Sequence, residues 1–435
     1  MKWYWRYIGQ RLIGILFCVG IFFNLALYDI PWHPYTFAKS VYWEWESCLG
    51  KETTPPNIQQ VCECLRNAVR NAVQSSRNNP LGKRADQHLI NVFGSIQVLL
   101  DIQSVRDDLS HWCRLKNGYV AMLVPRQDNT EAADALIQFD RWLKTKNIPF
   151  LFVQAPHLVC KYAPELPRGA TCFSDDNTNR LLDYLREAGV DCLDTREIFR
   201  DCPQKHYECF LKSETHWQME YAFYAFQQTG RHLNEKYGFS IPPEVLDADN
   251  YYRVRDDSVL YGQGERLGET FVPEDHKVFF LPKFPTQFIS DQEIYWPRKM
   301  LHQEGSFDIL MPPRTMEERV INQNIPSKRV LLITDSFGAN FSRYMPLGCH
   351  EMVFVCPLRY HSDLDEKLKQ MQPDIVILLL TARGVGRLYT DYITLPLETR
   401  YTHRRLKFPF CATLCEPWCA SSDGGRHRKF QREVL

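Results

Sequence analysis

Between Gly118 and Arg383 short, wholly apolar runs take turns with longer amphipathic ones. "GYVAMLV" reads as a strand, and "TEAADALIQFDRWLKTKN" as a helix with Thr130 as its cap. "IPFLFVQAP" predicts a second strand, "NTNRLLDYLREAG" a second helix and "VDCLDT" a third strand. The alternation resumes with "RVLLITDSFG", "HEMVFVCP", "SDLDEKLKQMQ" and "PDIVILLLTARG", a strand, a strand, a helix and a strand. Uninterrupted Val, Ile and Leu suit strands buried on both faces. Strands alternating with helices of this length predict a three-layer α/β/α fold around a mainly parallel sheet.

The flanking segments have a different texture. Residues 33–112 are polar, and "NIQQVCECLRNAVRNAVQ" has apolar positions at helical spacing, so a helical stalk is expected there. An α/β domain is expected over 113–400, interrupted at about 251–324 by an irregular or β-rich insertion rich in Pro, Phe and Tyr. The tail, 401–435, is basic and cysteine-bearing, without periodicity. At the other end Lys2, Arg6 and Arg11 precede a nearly uncharged run from Leu12 to Tyr28. That run is close to the roughly 20 residues that cross a bilayer as a helix. Trp3, Tyr4, Trp5 and Tyr7 would mark one interface, Tyr28 and Trp32 the other. Residues 1–32 are therefore expected to be a cytoplasmic amino terminus and a single transmembrane anchor, with the bulk of the chain outside the cytoplasm. No small-x-small cleavage site follows the run, so a removed signal peptide fits less well.

Composition narrows the function classes. Lys plus Arg and Asp plus Glu are each 52, a formal charge of zero, so the chain-wide basic field of a nucleic-acid binder is absent. Hydrophobic content of 44% is ample for a large core. Of 15 cysteines Cys18 lies in the apolar run; the remainder are even in number, which permits disulfides in an oxidising compartment without revealing their pairing. Neither Cys62/Cys64 nor "CATLCEPWC" has CxxC spacing, so no zinc site is expected.

Ligands of an open parallel sheet sit beyond the carboxyl ends of its strands. Ser336 stands there in "ITDSFG", where it would open the next helix and project from a sharp turn. Backbone N–H groups and the helix terminus would favour a developing oxyanion. A serine hydroxyl needs a base, most often histidine, and the base needs an acceptor on its other ring nitrogen. In "LKSETHWQ", Glu214 and His216 lie two apart, on the same side of an extended segment. Arg383 in "TARGVG" and Arg359 in "PLRYH" follow other strands and, with Asp335, are weaker candidates for substrate or oxyanion contacts. Each of these residues also has an ordinary reading: a capping serine, a satisfied histidine, a surface ion pair.

Several segments, in order, resemble the alginate O-acetylation proteins AlgJ and AlgX and their DHHW relatives. They are "LKNGYVAML", "WLKTKNIPFLFVQAPHLVCKYAPELPRG", "AGVDCLDTREIF" leading into "YECFLKSETHW", "KRVLLITDSFG" and "PDIVILLLTAR", over roughly Lys116 to Tyr389. The resemblance implies an SGNH hydrolase-like fold with acid and histidine ahead of the serine, a permuted order that leaves triad geometry unaffected. By motif, Ser336 is then the nucleophile, His216 the base, and Glu214 stands where the family has Asp, one methylene shorter. His157 and Lys161 also depart from the family's P-x-K. The implied activity is transfer of acetyl groups to hydroxyls of an extracytoplasmic polysaccharide through an acyl-serine, in the periplasm at the inner membrane. No metal or organic cofactor is implied. The implied partner is a multi-span membrane acyltransferase that supplies acyl groups. Two other functions share the residues: a carbohydrate acetyl esterase, and a polysaccharide-binding or assembly protein without activity.

Overall fold

The computed structural model describes most of residues 90–385; within them 107–110, 162–164, 256–261, 285–287, 291–293, 296–316 and 357–363 are the longer stretches outside the description. The expected anchor and tail, most of the expected stalk and Arg359 lie outside the described residues. Among the described residues no helix is long and apolar enough to cross a membrane.

Two compact units result. The smaller takes in residues up to Arg114 together with Tyr261–Glu274. Its strands β1 (Ser104–Arg106) and β2 (His111–Arg114) pair antiparallel.

The larger unit, Leu115–Leu260 with Asp275–Leu435, holds the predicted α/β pattern. After β3 (Val120–Met122) come α1 (Thr130–Thr145), β4 (Phe150–Gln154), α2 (Ser174–Glu187), β5 (Cys192–Asp194) and α3 (Met219–Tyr237). Then follow β6 (Tyr251–Arg255), β7 (Val278–Pro282), β8 (Phe288–Ser290), β9 (Ile294–Tyr295) and β10 (Glu317–Asn322). The last elements are β11 (Arg329–Thr334), α4 (Gly338–Phe341), β12 (Glu351–Val355), α5 (Leu364–Met371) and β13 (Ile375–Leu380). The main sheet has eight strands in the order β5-β4-β13-β11-β12-β10-β8-β9. Its first five run parallel. The other three alternate in direction, so the sheet is mixed, and the expected insertion supplies its antiparallel edge.

One face of the sheet carries Phe150, Phe152, Leu331, Ile333, Val376, Leu378 and Leu380, packed with Leu136, Phe139 and Leu143 of α1, Leu181 and Leu185 of α2 and Leu368 of α5. The alternate positions Leu151, Val153, Val330, Leu332, Ile377 and Leu379 project to the opposite face and are equally inaccessible. That is why these strands read as unbroken apolar runs: no position of Phe150–Gln154, Val330–Thr334 or Ile375–Leu380 meets water. Each such side chain contributes about 1.5–3 kcal/mol relative to exposure. Helix α3 joins a separate aromatic cluster, in which Phe223 meets Tyr251, Phe280 and Tyr344 at ring distances of 4.3, 4.9 and 5.4 Å.

Two local expectations need correction. Thr130 is the first residue of α1 rather than its cap; Asp128 Oδ1 accepts the Thr130 N–H at 3.1 Å and its hydroxyl at 2.7 Å. An aspartate two residues ahead can fold back on the chain in this way, as an Asx turn. The helix that follows Ser336 is a single turn, Gly338–Phe341, too short for a macrodipole to matter at the serine.

Candidate active site

Strand β11 sits in the middle of the sheet, so the turn after it opens at the centre of the carboxyl edge, between the ends of β13 and β12. Thr334 ends the strand, and Asp335 then shapes the turn. Its Oδ1 accepts the Phe337 N–H at 3.0 Å, and its Oδ2 accepts the Thr381 N–H at 2.9 Å and the Thr381 hydroxyl at 2.7 Å. The carboxylate is thereby used up in binding the β11 turn to the loop after β13. Burial pushes its carboxyl above the usual range, against the pull of these three donors. The expectation that Asp335 meets substrate is replaced by this internal role. Gly384 N–H donates to Thr381 Oγ1 at 3.1 Å, and a Cβ on Gly384 would collide with Asp335 Oδ2. A Cβ on Gly338 would likewise run into the Thr334 side chain, so the glycine of "DSFG" is required by close approach.

The other half of the site is a tight loop. Gln218 N–H donates to Cys209 O at 2.9 Å, Phe210 and Trp217 form an antiparallel bridge, and Leu211 N–H donates to His216 O at 2.9 Å. Between these rungs Lys212 to Thr215 bend sharply. Glu214 and His216 therefore meet across a bend, not along the extended segment expected. Asp275 holds the bend from outside: its Oδ2 accepts N–H donors from Lys212 and, at 3.2 Å, from Ser213. Burial raises the Asp275 carboxyl, opposed by bonds from His276, Ser213 and Lys212.

The two halves interlock. Trp217 Nε1 donates to Phe337 O at 2.8 Å, and Asn340 Nδ2 donates to Trp217 O at 3.0 Å. The His216 and Phe337 rings lie 4.9 Å apart. At their meeting point His216 Nε2 is 2.9 Å from Ser336 Oγ, and His216 Nδ1 is 3.1 Å from Glu214 Oε2. Exposure rises along this line, from 2% at Glu214 and 8% at His216 to a partly exposed Ser336. An acid in the interior, an imidazole between and a reachable hydroxyl can make an alcohol nucleophilic.

Sequence reasoning did not find Trp217, Asn340 or Asp275. The first adjoins His216 in "THW" and could have been flagged by its neighbour; the others carry no local signal. Arg383 lies in the turn after β13, two residues beyond Thr381, on the same edge of the sheet. His157 is inside, its Nδ1 3.1 Å from Val159 O and its Nε2 3.1 Å from Met122 O, and burial lowers its basicity. It is a structural histidine. Among the described residues no group of His, Cys, Asp and Glu could hold a metal ion.

Residues 118–248 match the family model described as SGNH hydrolase-like domain, acetyltransferase AlgX. Over those residues the chain is similar to that domain. The match includes Glu214 and His216 and stops short of Ser336, whose membership of the site rests on the contacts above. No curated protein matches the sequence. Among solved structures, Bacillus cereus PatB1 with a sulfonyl adduct aligns at a TM-score of 0.51 and 15% identity, over 66% of this chain and 97% of PatB1. A DHHW family protein from Eubacterium siraeum aligns at 0.50 and 13% identity, over 67% and 97%. At these identities the likeness is one of fold.

Replacing Asp275 with alanine would strand the N–H donors of Lys212, Ser213 and His276. Losing such partners costs about 1–3 kcal/mol, and misplacing the bend by an ångström can lower turnover by up to about 10²-fold. Asp275→Asn keeps an acceptor and is expected to fall between wild type and alanine in both melting temperature and kcat. Equal kcat in all three proteins would remove Asp275 from the positioning of Glu214 and His216.

Proposed function

We propose that this protein is a membrane-anchored O-acetyltransferase that moves acetyl groups to hydroxyls of an extracytoplasmic polysaccharide. The observation that carries the proposal is the unbroken line Glu214–His216–Ser336, with bonds of 3.1 and 2.9 Å in an AlgX-like acetyltransferase domain. Ser336 Oγ attacks the acetyl carbonyl while His216 Nε2 takes its proton. The imidazolium, held at Nδ1 by Glu214, returns that proton to the departing donor. In the second half His216 removes the proton of a sugar hydroxyl, which attacks the acyl-serine and regenerates Ser336. General acid–base help of this kind supplies about 10²–10⁴ in rate.

The test separates transfer from hydrolysis. Purified protein is incubated with a chromogenic acetyl ester, with and without oligosaccharide acceptors. Transfer predicts faster ester turnover with acceptor and an acetylated oligosaccharide in the products. Turnover indifferent to every acceptor, with acetate as the sole product, would make the enzyme an acetyl esterase.

The anchor and the partner belong to the same proposal. The Leu12–Tyr28 run, with cationic residues ahead of it, supports one crossing with the AlgX-like domain outside. One crossing cannot form an export channel, so the acyl group would come from a multi-span membrane acyltransferase. The full chain is expected in the membrane fraction after alkaline carbonate washing, and a chain beginning at residue 33 in the soluble fraction. A full chain released by carbonate would overturn the anchor.

A further inference from the structure

Cys202 and Cys209 lie at the foot of the acid–histidine loop. Their Sγ atoms are 3.7 Å apart, seven positions apart in sequence. Cys202 sits in a surface bend beside exposed Pro203, and Cys209 ends the 3₁₀ turn His206–Cys209, between exposed Glu208 and buried Phe210. Both residues are buried, at 9% and 3% exposure. The Cys209 carbonyl is the acceptor for Gln218 N–H, the outermost rung of the loop that carries Glu214 and His216.

We infer that Cys202 and Cys209 form a reversible dithiol–disulfide pair that cross-links the base of this loop. Two sulfurs in van der Waals contact need to approach from 3.7 Å to about 2.05 Å, a movement that side-chain rotation and the bend at Cys202 can supply. A bond donated by Cys209 lowers the Cys202 thiol below its ordinary range, whereas Cys209 is pushed up by Cys202 and by burial. Cys202, on the surface bend and the more exposed of the two, is the sulfur that attacks first. Its thiolate attacks one sulfur of a disulfide oxidant such as glutathione disulfide, giving a mixed disulfide and releasing one glutathione thiolate. Cys209 loses its proton to solvent and attacks Cys202 Sγ, releasing the second glutathione. The two protein thiols are oxidised by two electrons, and the oxidant is reduced to two thiols. The pairing stands on sulfur geometry and does not depend on the acetyl-transfer reading.

The sequence makes the test direct. Trypsin cuts after Arg200, Lys205 and Lys212, placing the two cysteines in separate peptides, "DCPQK" and "HYECFLK". The folded full-length protein is exposed to glutathione disulfide, capped with N-ethylmaleimide, digested and examined by mass spectrometry with and without reductant. A cross-linked pair of these peptides that reductant separates is expected. The melting temperature of the oxidised protein should rise by roughly 5 °C, as for a short closed loop in a domain of this size. Cys202→Ser should show neither the link nor the rise. The inference is overturned if both peptides carry only maleimide or glutathione, if they link only in denaturant, or if Cys202→Ser keeps the melting shift.

Discussion

Ser336→Ala is expected to lower acetyl-ester turnover by about 10⁴-fold or more while leaving the fold intact. Removing a triad nucleophile costs this much because the remaining donors and binding contacts only orient water. The structural cost is small for a specific reason. Ser336 is partly exposed, and its hydroxyl is bonded to His216, whose ring stays fixed by Glu214 and by contact with Phe337. The turn is held by Asp335, Thr381 and the Gly338 close approach, none of which involves the Ser336 side chain. Melting temperature should therefore match wild type within about 2 °C, which is what a change of about 0.5 kcal/mol produces in a domain of this size. The informative measurement pairs this melt with a burst experiment: wild type should release about one equivalent of chromophore before steady state, and the variant none. In cells carrying only the variant, polymer acetylation should vanish. Unchanged acetylation would instead identify a polysaccharide-binding or assembly protein.

What the chain revealed on its own was governed by range. The central strands were legible because Leu331–Ile333 and Val376–Leu380 are buried on both faces, so periodicity and burial tell the same story. Helix α3 was not, since Met219 to Gln227 are buried without a break, and a helix enclosed on all sides shows no amphipathic stripe. The antiparallel edge was illegible for a related reason. Strands β8, β9 and β10 alternate or sit at an edge, and β10 finds its partners β8 and β12 about 30 positions away on either side. At the site, Ser336 and His216 stand in strand-end and loop contexts that chemistry alone can flag. Asp275 acts on Ser213 from 62 positions away, by a bond to backbone, and nothing in its own neighbourhood announces that. The acid–histidine pair was located by an argument about extended chain, yet Lys212 to Thr215 bend. The structure brings Glu214, His216 and Ser336 together through a local geometry other than the expected one.

That bend bears on the second large effect, at Glu214. Glutamate occupies a place where a side chain one methylene shorter would be expected by resemblance, and the bend absorbs the extra length, leaving Oε2 at 3.1 Å from His216 Nδ1. Glu214→Gln is expected to lower kcat by about 10³–10⁴-fold. If the amide presents its NH₂ to Nδ1, the ring takes the tautomer with hydrogen on Nε2, which cannot accept the Ser336 proton. If it presents its oxygen, the tautomer is right but no charge balances the imidazolium. Either arrangement fails in the transition state and leaves substrate binding alone, so KM should be nearly unchanged. Glu214→Asp tests length separately from charge. Shortening by one C–C bond opens the contact by up to about 1.5 Å, beyond hydrogen-bond range unless the bend retreats. With Lys212 and Ser213 tied to Asp275, that retreat is opposed, and kcat should fall by about 10–10²-fold. Combining Glu214→Asp with Asp275→Ala should then cost less than the product of the two single effects, because the freed loop can move towards the shorter acid. Fully multiplicative losses would mean that the two carboxylates act on the histidine independently.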